Sequence, residues 1–207
     1  MKTYTILFFV LLMSGVLFLG SCKKESIEPS FADEPVLFIR GNLDGDSINY
    51  TAGLKSQFAT PFIVDEQDTL RYFVFQMNEK NNPVKPLFKI IFFNYKIPFT
   101  DVRSDLDSTI KIGSYNYYGL LDLPPLPFFP FTVFVNYIDQ NGSNYSSSGI
   151  YQMSSSFLIT KIEEYISNDN KKYKKAFLNF NCQLVRDDNL DTLELKNGNA
   201  VIAFGYE

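Results

Sequence analysis

The residues able to do chemistry in this chain are almost all carboxylates. There is no histidine and only two cysteines, which removes Ser-His-Asp and Cys-His nucleophile systems, imidazole acid–base work and His-ligated zinc. Cys182 falls on the predicted inward face of a strand, where a thiol behaves as a small hydrophobe. Paired acids across a cleft would suit glycoside hydrolysis. Yet Asp101, Asp105 and Asp107, and again Asp187, Asp188 and Asp191, form clusters that read as solvated turns. Asn42, Asp44, Asp46 and Ser47 place oxygen atoms at alternating positions, but no glutamate closes a calcium loop after them, and a tight hairpin turn explains the same residues. No phosphate loop or nucleophile elbow is present. The expectation is no catalytic residue, no metal and no cofactor.

Binding chemistry is better represented. The chain holds 21 Phe, 13 Tyr and no Trp. Tyr115, Tyr117, Tyr118, Tyr145 and Tyr151 offer rings that join an apolar face to a polar tip, suited to stacking on sugars, although the lack of Trp weakens that reading. Leu120 to Phe131 (LLDLPPLPFFPF) is the most unusual stretch. Its prolines forbid an interior strand and favour an extended loop. Leu126, Phe128 and Phe129, with Tyr117 and Tyr118 before them, then form either an exposed interaction loop or a cap over the open end of the core. The cap is the expectation. Asp46-Ser47-Ile48, Asp68-Thr69-Leu70, Asp107-Ser108-Thr109 and Asp191-Thr192-Leu193 repeat one tripeptide pattern. It is similar to the O-glycosylation acceptor motif of exported Bacteroidota proteins, which would place glycans on Ser47, Thr69, Ser108 and Thr192. An Asp turn leading into a β-branched strand start makes the same tripeptide, and both readings stand.

The elements that must position these groups read as strands. Leu178, Phe180, Cys182 and Leu184 alternate with Asn179, Asn181 and Gln183, a period of two with one face on a core. Val133, Val135 and Tyr137 alternate in the same way. Leu70–Met77 and Leu87–Tyr95 are apolar on both faces, as central strands of a packed sandwich are. Ser156–Ser167 carries Leu158, Ile162 and Tyr165 near helical spacing, but its strand formers and following turn mark it as strand. Asp44-Gly45, Asn141-Gly142 and Asn197-Gly198 read as turns, as do Asn168–Asn170 and Asp187–Asn189. Lys171, Lys172, Lys174 and Lys175 read as a solvated hairpin end. The sum is an all-β fold, a single antiparallel β-sandwich of about nine to eleven strands, Ig-like or jelly-roll-like, with no helix.

The N-terminus sets the compartment. Lys2, the apolar run Tyr4–Leu19 and the small residues before Cys22 follow the order of an export signal. The run is shorter than the ~20 residues that span a bilayer. Leu19-Gly20-Ser21-Cys22 resembles the lipobox of bacterial lipoproteins. That resemblance implies cleavage before Cys22 and acylation of its thiol, with two or three chains giving stable anchorage. Residues 1–21 are then the signal peptide, 22–34 a lipidated flexible tether and 35–207 the sandwich domain. Cys182 is left without a disulfide partner. Lys23 is not the aspartate that retains lipoproteins in the inner membrane of enteric bacteria, so the expected place is the outer membrane, at either face. The chain is mildly acidic, with 19 Lys and Arg against 23 Asp and Glu, and has no basic stripe to serve a nucleic-acid backbone.

Phe38–Gly45 (FIRGNLDG), Ile110–Tyr115 (IKIGSY), Ala176–Phe180 and Leu193–Phe204 (LELKNGNAVIAF) together resemble a broad group of Bacteroidota lipoproteins. The resemblance covers about a quarter of the chain and implies an exported β-sandwich with no established activity, catalytic residue or cofactor. No Trp stands near Gly45, unlike many of that group. The expected function is a non-catalytic accessory or interaction subunit of an outer-membrane envelope complex, partnered by the membrane and by protein. The alternative is a glycan-binding lipoprotein of a nutrient-uptake system.

Overall fold

Eleven strands and one short helix carry the described part of the chain, in a computed structural model that describes residues 37–52, 57–66, 70–79, 87–94, 101–118, 132–147, 152, 154–166, 170–188 and 191–206. The chain divides into two units, Met1–Asp33 and Glu34–Glu207, and every described residue lies in the second. The strands are β1 (Phe38–Leu43), β2 (Asp46–Thr51), β3 (Gln57–Glu66), β4 (Leu70–Glu79), β5 (Leu87–Asn94), β6 (Gly113–Tyr117), β7 (Thr132–Ile138), β8 (Asn144–Ser146), β9 (Ser156–Ile166), β10 (Lys172–Arg186) and β11 (Thr192–Gly205), with helix α1 (Val102–Thr109) before β6.

The strands join in the order β2-β1-β11-β10-β9-β6-β7-β5-β4-β3, and β8 bridges β7 and β10. The expected sandwich is present as two facing layers, but both belong to one sheet that folds over. Rings from the two halves meet in between. Phe73 of β4 and Phe92 of β5 both lie edge-on to Phe204 of β11, at 6.0 and 6.1 Å, and Phe92 meets Phe157 of β9 at 5.7 Å. One departure from an antiparallel sheet is β6 on β7, which run parallel through Asn116↔Thr132 and Tyr117↔Val133. A parallel pair needs a long crossover, and the chain between Tyr117 and Thr132 supplies its length. Pro61 sits in β3, an edge strand of the order, where a sheet tolerates proline.

Alternation works as the sequence suggests. Leu178, Phe180, Cys182 and Leu184 are all buried, as are Val133, Val135 and Tyr137. Ser156–Ile166 is strand, paired along β10. Asp44 and Gly45 take positive φ in the β1–β2 turn, and the Asn42 side chain closes that turn by donating to Gly45 O and accepting from Gly45 N. Gly142 likewise takes positive φ in the turn between β7 and β8.

Three expectations are corrected. Asp101–Thr109 is not a solvated turn: Asp101 caps helix α1, its carboxylate accepting from Ser104 N at 3.0 Å and Ser104 Oγ at 2.6 Å. Val102, Leu106 and Ile110 form the helical stripe, and Leu106 and Ile110 are buried in the core. Asn197-Gly198 is not a turn either; it lies inside β11 as a bulge, one extra residue opposite both β1 and β10. Asn197 takes φ 52° there, and its N–H is satisfied by Asn181 Oδ1 at 2.7 Å. The lysines of β10 are not a solvated end. Lys174 is buried and donates to Asp107 at 2.8 Å, and Lys175 pairs with Glu163 at 2.6 Å.

Candidate functional site

Two local arrangements qualify as sites on chemistry alone. The first is the cluster of charge around Arg71. From β4 its guanidinium grips Asp65 of β3 with two parallel bonds, Nε to Oδ1 at 2.6 Å and Nη2 to Oδ2 at 2.9 Å. Its Nη1 donates to Asp105 Oδ2 of α1 at 2.5 Å. Asp105 is fully buried and Arg71 nearly so. The Arg71 bonds hold the Asp65 carboxyl below its ordinary range, and Asp65 in turn raises Arg71. An arginine so held has no proton to exchange at physiological pH. The cluster therefore acts as a clamp that fastens α1 to the sheet. Sequence reasoning placed Asp105 in a solvated turn; the Val102/Leu106/Ile110 stripe was the signal that could have found it.

The second arrangement is an apolar groove on the outward side of β3, β4, β5 and β7. It encloses about 350 Å³ and is lined by Val64, Tyr72, Val74, Ile91, Phe93 and Phe134, with Tyr118 and Lys89 at its border. Phe93 stacks on Tyr118 at 4.9 Å and takes the edge of Tyr72 at 5.3 Å. The local sequence dictates this. In β4 and β5 residues alternate faces, so Phe73, Phe75, Phe88, Ile90 and Phe92 fill the core, while Tyr72, Val74, Ile91 and Phe93 fall on the other face, with Gln76 and Lys89 the polar exceptions there. An antiparallel layer with one solvated face normally carries polar residues there.

The other candidate residues disperse. Tyr117 is not part of an interaction loop: it is buried, with its hydroxyl donating to Asn181 O at 2.9 Å, beside Cys182. Tyr115 and Tyr145 are buried as well, Tyr115 OH accepting from Lys111 N and Tyr145 OH donating to Asp191. Neither can offer a ring face to a sugar. Burial pushes the Cys182 thiol up to about 12, as expected of an inert core cysteine. Of the described tyrosines in this set, Tyr118 alone borders the groove. Ser47 and Thr192 are exposed near the starts of β2 and β11. Ser108 lies in α1 with its hydroxyl donating to Asp105 O, so its Asp-Ser-Thr tripeptide is not a strand start. Cys22, Thr69, Leu126, Phe128, Phe129 and Tyr151 lie outside the described residues.

Among the described residues no group of three or more acidic, cysteine or histidine side chains could hold a metal ion, and no helix is long and apolar enough to cross a membrane. Fold and groove thus define a sandwich-like all-β protein with an apolar outer face. The chain matches no family model, no curated protein and no solved structure.

Proposed function

We propose that this protein is a non-catalytic lipoprotein, anchored through Cys22 in the outer membrane, that serves as an accessory or interaction subunit of an envelope complex. The observation that carries the reading is the apolar groove over β3, β4, β5 and β7. A contiguous apolar patch on a face that ought to be polar marks a contact surface. Its partner is a protein segment that lays apolar side chains against Tyr72, Ile91 and Phe134 and sets a carboxylate against Lys89. The export signal, lipobox and tether supply the anchorage.

The test is a photo-crosslinker placed at Ile91 in the full lipidated chain, with a second placed at exposed Thr160 of β9 as control. One stoichiometric adduct with an envelope protein from Ile91, absent from Thr160 and abolished by Lys89→Glu, supports the reading. Equal adducts from both positions, or none from either, overturn it. Anchorage is read separately. Cys22→Ala should move the protein out of the detergent-phase membrane fraction, and retention there would remove the lipid anchor from the proposal.

A further inference from the structure

On the layer away from that groove, asparagine accumulates where strand preference disfavours it. Asn is depleted in strands because its amide competes with the backbone and packs poorly on a pleated surface. Yet Asn116 of β6, Asn179 and Asn181 of β10, and Asn197 and Asn199 of β11 surround a single cleft of about 620 Å³. Ser114, Ser155 and Ser156 complete its polar lining, which holds no charged side chain among the described residues, although Arg40 of β1 stands opposite Asn199 one strand beyond.

The register brings these residues together. Ser114 stands opposite Leu158, Leu158 opposite Asn179, and Asn179 opposite Asn199. One outward-facing row thus crosses β6, β9, β10 and β11. Asn181 opposite Ser156 begins the next row, and the β11 bulge adds Asn197. Along the cleft Leu158 stays 38% exposed, giving an apolar step among the amides.

Several of the amides are already fixed. Asn199 Nδ2 donates to Asn179 Oδ1 at 2.8 Å and to Leu178 O at 3.2 Å. Asn181 Nδ2 donates to Ser156 Oγ at 3.2 Å while its Oδ1 accepts from Asn197 N. Side chains held in this way lose little entropy when a ligand arrives. The bonds use both donors of Asn199 and an acceptor of Asn179, which leaves Asn199 Oδ1 and Asn179 Nδ2 for a ligand, beside the exposed Asn116 amide and Ser114 hydroxyl.

The chemistry on offer is a mixed set of neutral donors and acceptors around a small apolar step. Hydroxyl groups, which both donate and accept, match that set; a ring with an apolar C–H face matches the step. An anionic ligand would lose hydration with no cation in the described lining to replace it. An extended peptide adds to a sheet at an edge, through free backbone groups, whereas this cleft lies over strands already paired on both sides. The volume is in the range of small-ligand sites, ~300–1,000 Å³. We propose that the asparagine-lined cleft across β6, β9, β10 and β11 binds a neutral oligosaccharide segment. The proposal is independent of the accessory-subunit reading, since the two surfaces lie on different layers.

Affinity electrophoresis of the full chain in gels containing dextran, galactomannan or xyloglucan tests it, with polygalacturonate and an extended peptide in parallel. At least one neutral polysaccharide should retard the protein. Asn116→Ala combined with Asn179→Ala should weaken that retardation at least tenfold with the circular-dichroism spectrum and melting temperature retained. Gln140→Ala, in the exposed turn between β7 and β8, should leave it unchanged. Should the double variant fail to fold, Ser114→Ala with Asn116→Ala replaces it, with the same loss expected. Retardation by no neutral polysaccharide, by polygalacturonate or the peptide alone, or equally in wild type and the folded cleft variant, would overturn the proposal.

Discussion

At the scale of single residues, Arg71 shows how far a side chain's meaning depends on what folds against it. In sequence it is one cation in an apolar strand; in the fold it holds Asp65 and the fully buried Asp105 at once. Removing one partner of a buried pair strands the other charge without compensation, at a cost of about 3–5 kcal/mol. Arg71→Met should lower unfolding stability in urea by that amount. Adding Asp105→Leu should recover part of the loss, because the stranded charge is then gone. A loss below about 1 kcal/mol would mean that Asp105 reaches water. Cys182, by contrast, was readable from its alternation with Asn181 and Gln183, and in the fold its thiol lies buried in the core, as that alternation implies.

Among the elements, β10 and β11 carry the most specific geometry. The β11 bulge brings Gly198 so close to Phe180 that an added Cβ would lie 2.6 Å from Phe180 O and 2.9 Å from its ring. Overpacking of this kind costs about 1–3 kcal/mol. Gly198→Ala should show that loss in thermal or urea unfolding, whereas Gly45→Asn, at a positive-φ turn open to solvent, should lose less. The β9–β10 pair holds a second testable contact. Lys161 and Lys175 hold the Glu163 carboxyl down to about 2, from an ordinary 4.5, and both ammonium groups also sit over the Phe177 ring. A depressed carboxyl stabilises the fold above its unfolded pKa and stops doing so as pH falls through the folded one. The stability difference between wild type and Glu163→Gln should therefore be full above pH 4.5 and vanish by about pH 2. It should also shrink in high salt, since the group is partly exposed. A difference that grew toward acid would contradict the pairing.

At the largest scale, one sheet of the described residues folds over so that its two halves meet through aromatic rings. Phe92 touches Tyr115 of β6, Phe157 of β9 and Phe204 of β11. Phe92→Ala should therefore cost about 3–5 kcal/mol and lower the cooperativity of unfolding followed by near-ultraviolet circular dichroism. An unchanged midpoint would show that the layers are held elsewhere. With its core filled by Phe and aliphatic residues, the sheet presents two unlike outer surfaces, one apolar and one lined by amides. Alternation made their compositions legible in β4, β5 and β10, because a period of two sorts residues onto faces without reference to any partner strand. It could not tell which outer faces are neighbours.

That division holds for the chain as a whole. Local periodicity and turn chemistry by themselves determined an all-β sandwich, the strands of its core and the buried state of Cys182, since these depend only on neighbours along the chain. The sequence also carries the lipobox-like Leu19-Gly20-Ser21-Cys22 on which the proposed anchorage rests. Only the tertiary structure decided that Asp105 is a buried partner of Arg71, that Asn197-Gly198 is a bulge, and that Tyr115, Tyr117 and Tyr145 are core. It alone placed Ser114, Asn179 and Asn199 in one row. Those facts depend on register between strands distant in sequence, and register is set by how the layers pack.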